Sequence, residues 1–157
     1  MKDEFFNAIR EGNTSRVEAL LSQMPQLISE RDARGSTPLL LATYYNAEAV
    51  TEILLKHTQD VDARDASGNT ALMGVCFKGF VPLAKKLIEH GANVNATNSN
   101  GATPLIFAVT FAKTDLVKLL LDHGADPYIT DDRGNTALVH ATMQQHQDII
   151  SLLQSNE

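Results

Sequence analysis

Three histidines recur at a fixed interval and are the first candidates for metal chemistry. His57, His90 and His123 lie 33 residues apart, and imidazole nitrogens are common zinc ligands. Equivalent side chains on stacked helices lie roughly 8–10 Å apart, however, whereas a zinc–nitrogen bond is about 2 Å long. We therefore expect no metal at this column. Each ring should lie near a helix C-terminus, where partial positive charge is favourable.

The remaining reactive side chains do not form a catalytic arrangement. His140 and His146 are six residues apart and so lie on different faces of a helix. The only cysteine, Cys76, has no histidine at helical spacing, which favours a small buried hydrophobe over a nucleophile. The loop carboxylates lack the alternating spacing of a calcium loop, and we expect solvated turn residues. These carboxylates are Asp60, Asp62, Asp65, Asp131 and Asp132.

Motifs that bind phosphate or dinucleotides, or that mark a hydrolase nucleophile or a zinc protease, do not occur. The sequence therefore predicts no enzyme, no cofactor and no metal.

With 157 residues, 43% hydrophobic and 20% charged, the chain has the composition of one folded domain. Its net charge of −6 argues against binding to nucleic acid or anionic lipid. The acidic start and the lack of a long apolar run predict a cytosolic protein with no membrane contact.

A repeat of 33 residues organises the elements that carry these side chains. Four columns keep that period through four units, each column holding one residue type. The glycines are Gly35, Gly68, Gly101 and Gly134, the threonines Thr37, Thr70, Thr103 and Thr136, and the leucines Leu39, Leu72, Leu105 and Leu138, then Leu54, Leu87, Leu120 and Leu153. Such a register predicts a stack of similar units.

Each column has a structural role. Threonine caps a helix, and the proline that follows Thr37 and Thr103 suits the first helical position, so a helix of about nine residues should begin at each threonine. A second amphipathic helix follows, and Gly91 and Gly124 should end it with positive φ. In the first full unit Thr58 replaces that glycine, and we expect a rearranged helix end.

Thr103-Pro104-Leu105 and Gly124-Ala125-Asp126, together with the period, resemble the ankyrin repeat. The resemblance implies an all-α solenoid of about five stacked helix-turn-helix units with short turn-bearing loops. We assign full units to 32–64, 65–97 and 98–130, an N-terminal capping unit to 1–31 with an extra residue near Met24-Pro25, and a C-terminal capping unit to 131–157. All five form one domain, and both ends look capped.

In that family the turn tips and the exposed side of the first helices form a concave contact surface. The matching tip residues are Arg34, Ser36, Ser67, Asn69, Asn100, Ala102, Arg133 and Asn135, and the helix columns are Tyr44, Phe77, Thr110, Met143 and Tyr45, Lys78, Phe111, Gln144. Aromatic groups ringed by polar ones are typical of binding hot spots; the open alternative is that the rings pack as ordinary core.

The sequence thus predicts a non-catalytic protein–protein interaction module, either an adaptor or an inhibitor, whose partner is another protein of unknown identity. The alternative is a small-molecule-binding or enzymatic protein that uses the concave groove. A monomer is expected, with weak self-association possible through the apolar face.

Overall fold

Pairs of short helices alternate with turn-bearing loops along the whole computed structural model, which describes residues 1–155. The predicted C-terminal unit therefore ends outside the described residues. The α-helices are α1 (Lys2–Glu11), α2 (Thr14–Gln23), α3 (Pro38–Tyr44), α4 (Glu48–Leu55), α5 (Ala71–Lys78), α6 (Val81–Glu89), α7 (Pro104–Thr110), α8 (Thr114–Asp122), α9 (Ala137–Met143) and α10 (Gln147–Gln154). Residues 1–155 contain no strand, which confirms the all-α prediction.

Threonine N-caps begin the first helix of each full unit, as predicted. The Thr37 hydroxyl accepts a hydrogen bond from the main-chain N–H of Leu40 at 3.2 Å, and the Thr103 hydroxyl accepts one from Ile106 at 3.1 Å. Thr70 and Thr136 cap α5 and α9 in the same way. These first helices are seven or eight residues long rather than about nine, and a residue with positive φ follows each of them within two positions.

The end of α4 is rearranged where glycine is missing, as the sequence predicts. After α6 and α8 the residue that follows the glycine, Ala92 or Ala125, donates its main-chain N–H to a helix carbonyl at 3.0 Å. The equivalent residue after α4 is Gln59, and its side-chain amide donates to the Leu54 carbonyl instead. Gly91 and Gly124 both have φ of 89°, which is the conformation that Thr58 avoids.

The connector in which the sequence predicts an extra residue of the first unit contains a 3₁₀ helix, Pro25–Ser29. This helix packs against α2 and α3 through the buried side chains of Leu27 and Ile28. The insertion near Met24-Pro25 is therefore accommodated by a tighter helical turn and leaves the stack continuous.

Side-chain bonds between neighbouring loops hold the units in register. Arg31 Nη1 donates to the Gly35 carbonyl of its own loop at 2.6 Å and to the Arg64 carbonyl of the next loop at 2.7 Å. Arg64 repeats the pattern one unit further on, with Gly68 at 3.0 Å and with Thr97. The two arginines thus tie three successive loops together.

The buried residues form two clusters instead of one. The N-terminal cluster runs from Phe5 to Leu54 and the larger C-terminal cluster from Leu39 to Leu153. The helix pair α3–α4 contributes to both, with Leu41 on one side and Leu39 on the other. Each helix pair is thus covered by its neighbours in the stack.

The turn carboxylates Asp65 and Asp131 have structural roles, and our expectation of a solvated side chain is wrong for Asp131. Asp65 Oδ1 accepts main-chain N–H bonds from Ser67 and Asn69, both at 2.9 Å. Asp131 does the same within its own turn, and its side chain is only 12% exposed. The two N–H groups that each turn leaves without a backbone partner draw the carboxylate inward.

Candidate functional site

Five large apolar side chains of the predicted contact columns lie at the surface. The exposed fractions are 57% for Tyr44, 51% for Tyr45, 44% for Phe77, 42% for Phe111 and 62% for Met143. These fractions favour a surface position over ordinary core packing, the open alternative. The helices begin at equivalent threonines, and so the register places these side chains on one side of the stack.

The four rings form a stripe of two edge-to-face pairs across three units, and Lys78 bridges the two pairs. Phe77 and Phe111, on adjacent units, meet edge to face with ring centroids 4.5 Å apart. Tyr44 and Tyr45 meet at 5.4 Å in the same manner, and the Lys78 Nζ atom lies 4.4 Å from the centre of the Tyr44 ring. Edge-to-face and cation–π geometries fix the rings in place, so the apolar surface is presented in an ordered form.

The predicted tip residues differ in their exposure to solvent. Arg34, Ser67, Asn100 and Arg133 are exposed at the loop tips, whereas Ser36, Asn69, Ala102 and Asn135 are half-buried. The Asn69 side-chain oxygen accepts a hydrogen bond from the Asn98 amide at 2.8 Å. In the helix column, Gln144 Nε2 donates to the Thr110 carbonyl at 2.9 Å. Asn69 and Gln144 therefore have structural roles within the stack.

A groove of about 580 Å³ opens between α3 and α5 on this side. Tyr44 and Tyr45 line it at the end of α3, Phe77 and Lys78 line it from α5, and Gly74 forms part of its floor. Gly74 is not among the contact residues predicted from the sequence. The column comparison could have revealed it, because the equivalent positions hold Leu41, Phe107 and His140.

Cys76 and the recurring histidines each occupy a structural position in the fold. Cys76 is fully buried, and that burial raises the pKa of its thiol far above its ordinary value, as predicted for a structural residue. His90 and His123 lie with Nδ1 at 2.8 and 2.9 Å from helix carbonyls of Lys86 and Leu119, which confirms their position at helix C-termini. Residues 1–155 contain no cluster of three metal-binding side chains.

One polar contact was not foreseen. His140 Nε2 lies 2.8 Å from Asp131 Oδ2, and the two side chains are 17% and 12% exposed. Burial alone raises the pKa of Asp131, but the Asn135 N–H, the His140 ring and the Arg133 N–H together lower it below its ordinary value. Asp131 lies in the last turn and His140 on α9, so the pair holds that turn against the helix.

Stacked helix pairs joined by ordered loops define a helical-repeat solenoid, and its aromatic stripe is exposed. A family model described as ankyrin repeats in three copies matches residues 5–98 and again 72–157. The chain belongs to the ankyrin-repeat family, whose members are generally protein–protein interaction modules and typically not enzymes. A search of curated proteins returned no match. Within residues 1–155 no helix has the length and hydropathy needed to cross a bilayer.

Proposed function

We propose that this chain is a non-catalytic binding module that holds a partner protein against its concave face and loop tips, as an adaptor or an inhibitor. The observation that carries the proposal is the exposed stripe of Tyr44, Tyr45, Phe77 and Phe111. The stack can be built without these rings, because its buried clusters are mostly aliphatic beyond α1.

The energetics favour contact through this stripe. Burying one large apolar side chain contributes about 1.5–3 kcal/mol relative to leaving it in water. Four rings that already hold their geometry lose little conformational entropy on binding. Exposed tip residues such as Arg34 and Arg133 then supply a polar rim, which is typical of hot-spot surfaces.

Capture from a source-cell lysate tests this function. Wild-type protein is compared with the triple variant Tyr44→Ala, Phe77→Ala and Phe111→Ala, and with Tyr128→Ala as a control. Tyr128 is 62% exposed but lies outside the stripe. We expect a partner protein that binds wild type and the control but not the triple variant. The melting temperature of the triple variant should stay close to that of wild type.

A large fall in melting temperature would instead assign the rings to the core and end the proposal. Once a partner is captured, its own activity with and without this chain distinguishes an inhibitor from an adaptor. We further propose a cytosolic monomer, an assignment that rests on the sequence; light scattering across a concentration series tests the monomer.

A second candidate is a small molecule in the groove, favoured by a volume within the 300–1,000 Å³ typical of ligand pockets. A compound that raises the melting temperature of wild type but not that of Gly74→Leu, in which a side chain fills the floor, would support it.

A further inference from the structure

The floor of the groove contains a glycine that the fold does not require. Gly74 is exposed in the middle of α5, and a Cβ added there would meet no heavy atom within 4 Å. Its φ does not lie in the left-handed region, and a glycine inside a helix weakens that helix. The equivalent positions hold Leu41, Phe107 and His140, so the stack accepts a large side chain there.

Aromatic and cationic groups surround that floor. Gly74, Phe77 and Lys78 are spaced i, i+3 and i+4 on α5 and therefore share one helix face. The exposed ring of Tyr44 lines the groove from α3. An apolar side chain placed over Gly74 would thus lie between two rings.

The charge at the rim is positive although the whole chain carries −6. Lys78 and Arg34 line the groove, and neither forms an ion pair with a carboxylate of residues 1–155. The two carboxylates of the groove, Asp32 and Asp65, accept main-chain N–H bonds in their own turns at 2.9 Å. Asp32 is also paired with Arg10 at 3.5 Å.

We infer that this groove binds an acidic segment of a partner chain, with one large apolar side chain over Gly74 and carboxylates beside Lys78 and Arg34. The inference rests on the proposed function and specifies the chemistry of the partner. The apolar contact provides affinity, and the two cations orient the segment. A basic segment is rejected because both rim cations would repel it.

Selection from a random-peptide display library tests the composition directly. The probe is the library itself, applied to immobilised full-length wild type and, in parallel, to Tyr44→Ala with Phe77→Ala. We expect wild type to enrich peptides in which Leu, Met or Phe is flanked by Asp or Glu. The double variant should not enrich them.

A synthetic peptide of the enriched sequence is then titrated by fluorescence anisotropy. Gly74→Leu should weaken binding at least tenfold, since its side chain occupies the same space, and it should fold at least as well as wild type. Lys78→Glu and Arg34→Glu should each weaken binding about fivefold to tenfold. Lys85→Glu, on an exposed part of α6, makes the same change in net charge and should leave affinity within about twofold, because added charge far from the groove is screened by salt.

The outcomes separate the two proposals. Enrichment of neutral or basic peptides whose binding depends on Tyr44 and Phe77 would overturn the inference of an acidic segment. It would leave the proposed binding function intact. Peptides that bind wild type and the double variant equally, or no enrichment at all, would count against the concave face itself. An acidic peptide that binds Gly74→Leu and wild type equally would show that the peptide does not bind over the floor of the groove.

Discussion

Arg31 donates a hydrogen bond from Nη1 to the main-chain oxygen of Arg64, 33 residues further along the chain, at 2.7 Å. The same nitrogen donates to Gly35 in its own loop. A single planar guanidinium thus fixes the distance between two neighbouring loops. Because Arg64 makes the equivalent pair of bonds, the position of each loop depends on the next one.

Loss of this linkage should destabilise the stack. Arg64→Met keeps an apolar stem but removes both bonds, and we expect the free energy of unfolding to fall by about 1–2 kcal/mol, since the site is exposed to solvent. Arg133→Met, at an exposed tip, is the control and should change it by less than about 0.5 kcal/mol. Urea denaturation measures both; equal effects would contradict the role given to Arg64.

Thr51 should be a stabilising substitution site. Its hydroxyl is buried in α4 and finds no hydrogen-bond partner within residues 1–155, while the equivalent positions hold Ala84, Val117 and Ile150. Thr51→Val removes the unsatisfied group, and we expect a gain of about 1 kcal/mol in unfolding free energy.

Thr43→Val provides the matched comparison to Thr51→Val, because the Thr43 hydroxyl donates to the Leu39 carbonyl at 2.9 Å. This substitution should cost about 1 kcal/mol. Thermal denaturation that moves both variants in the same direction would show that hydrogen bonding does not decide the difference.

Ala112 is held in a strained backbone conformation between α7 and α8. Its φ is 57°, and the equivalent residues Asn46, Gly79 and Gln145 also have positive φ. Ala112→Gly should therefore raise the unfolding free energy by about 0.5–1 kcal/mol. Ala66→Gly, in an exposed loop without positive φ, should lower the unfolding free energy by a similar amount. A lower unfolding free energy for both glycine variants would rule out strain at Ala112.

The Asp131–His140 pair predicts a specific dependence on pH. The pKa of Asp131 is lower in the folded chain than its ordinary value of 3.8. Its stabilising contribution is therefore fully present above that ordinary value and is lost as the pH falls through the lower folded value. Asp131→Asn should be less stable than wild type at neutral pH, and the difference should close in acid.

Denaturant melts of wild type and Asp131→Asn from about pH 7 to about pH 2 measure this closure. His140→Phe, which copies the ring found at Phe107, removes one of the groups that lower the Asp131 pKa and should reduce the difference between acid and neutral pH. A constant gap at every pH would show that the charge of Asp131 contributes nothing.

Much of this fold could be predicted because its determinants are local. Thr37 and Leu40 are three residues apart, so a cap and the N–H group that it satisfies are visible in a short window of sequence. The period then repeats that local signal four times. The rearranged end of α4 could be predicted for the same reason, from Thr58 alone.

The remaining features depend on neighbours about one repeat away. Arg31 contacts a carbonyl 33 residues distant, and any residue type presents that carbonyl, so the pattern of side chains gives no signal. The Asp131–His140 pair is closer in sequence, nine residues apart, but it joins a turn to the helix that follows, and no helical spacing marks it. The groove escaped notice because its floor is defined by a residue without a side chain, whereas motif analysis looks for groups that are present.

The division of the interior into two clusters affects how the molecule opens. The groove lies between α3 and α5, across the junction where the N-terminal cluster gives way to the C-terminal one. Partial unfolding that frees α1 to α4 would separate Tyr44 from Phe77 while the other helices keep their contacts. A partner bound to both rings would oppose this separation. Binding at the groove should therefore slow amide hydrogen exchange in α1 and α2, although the groove lies outside those helices.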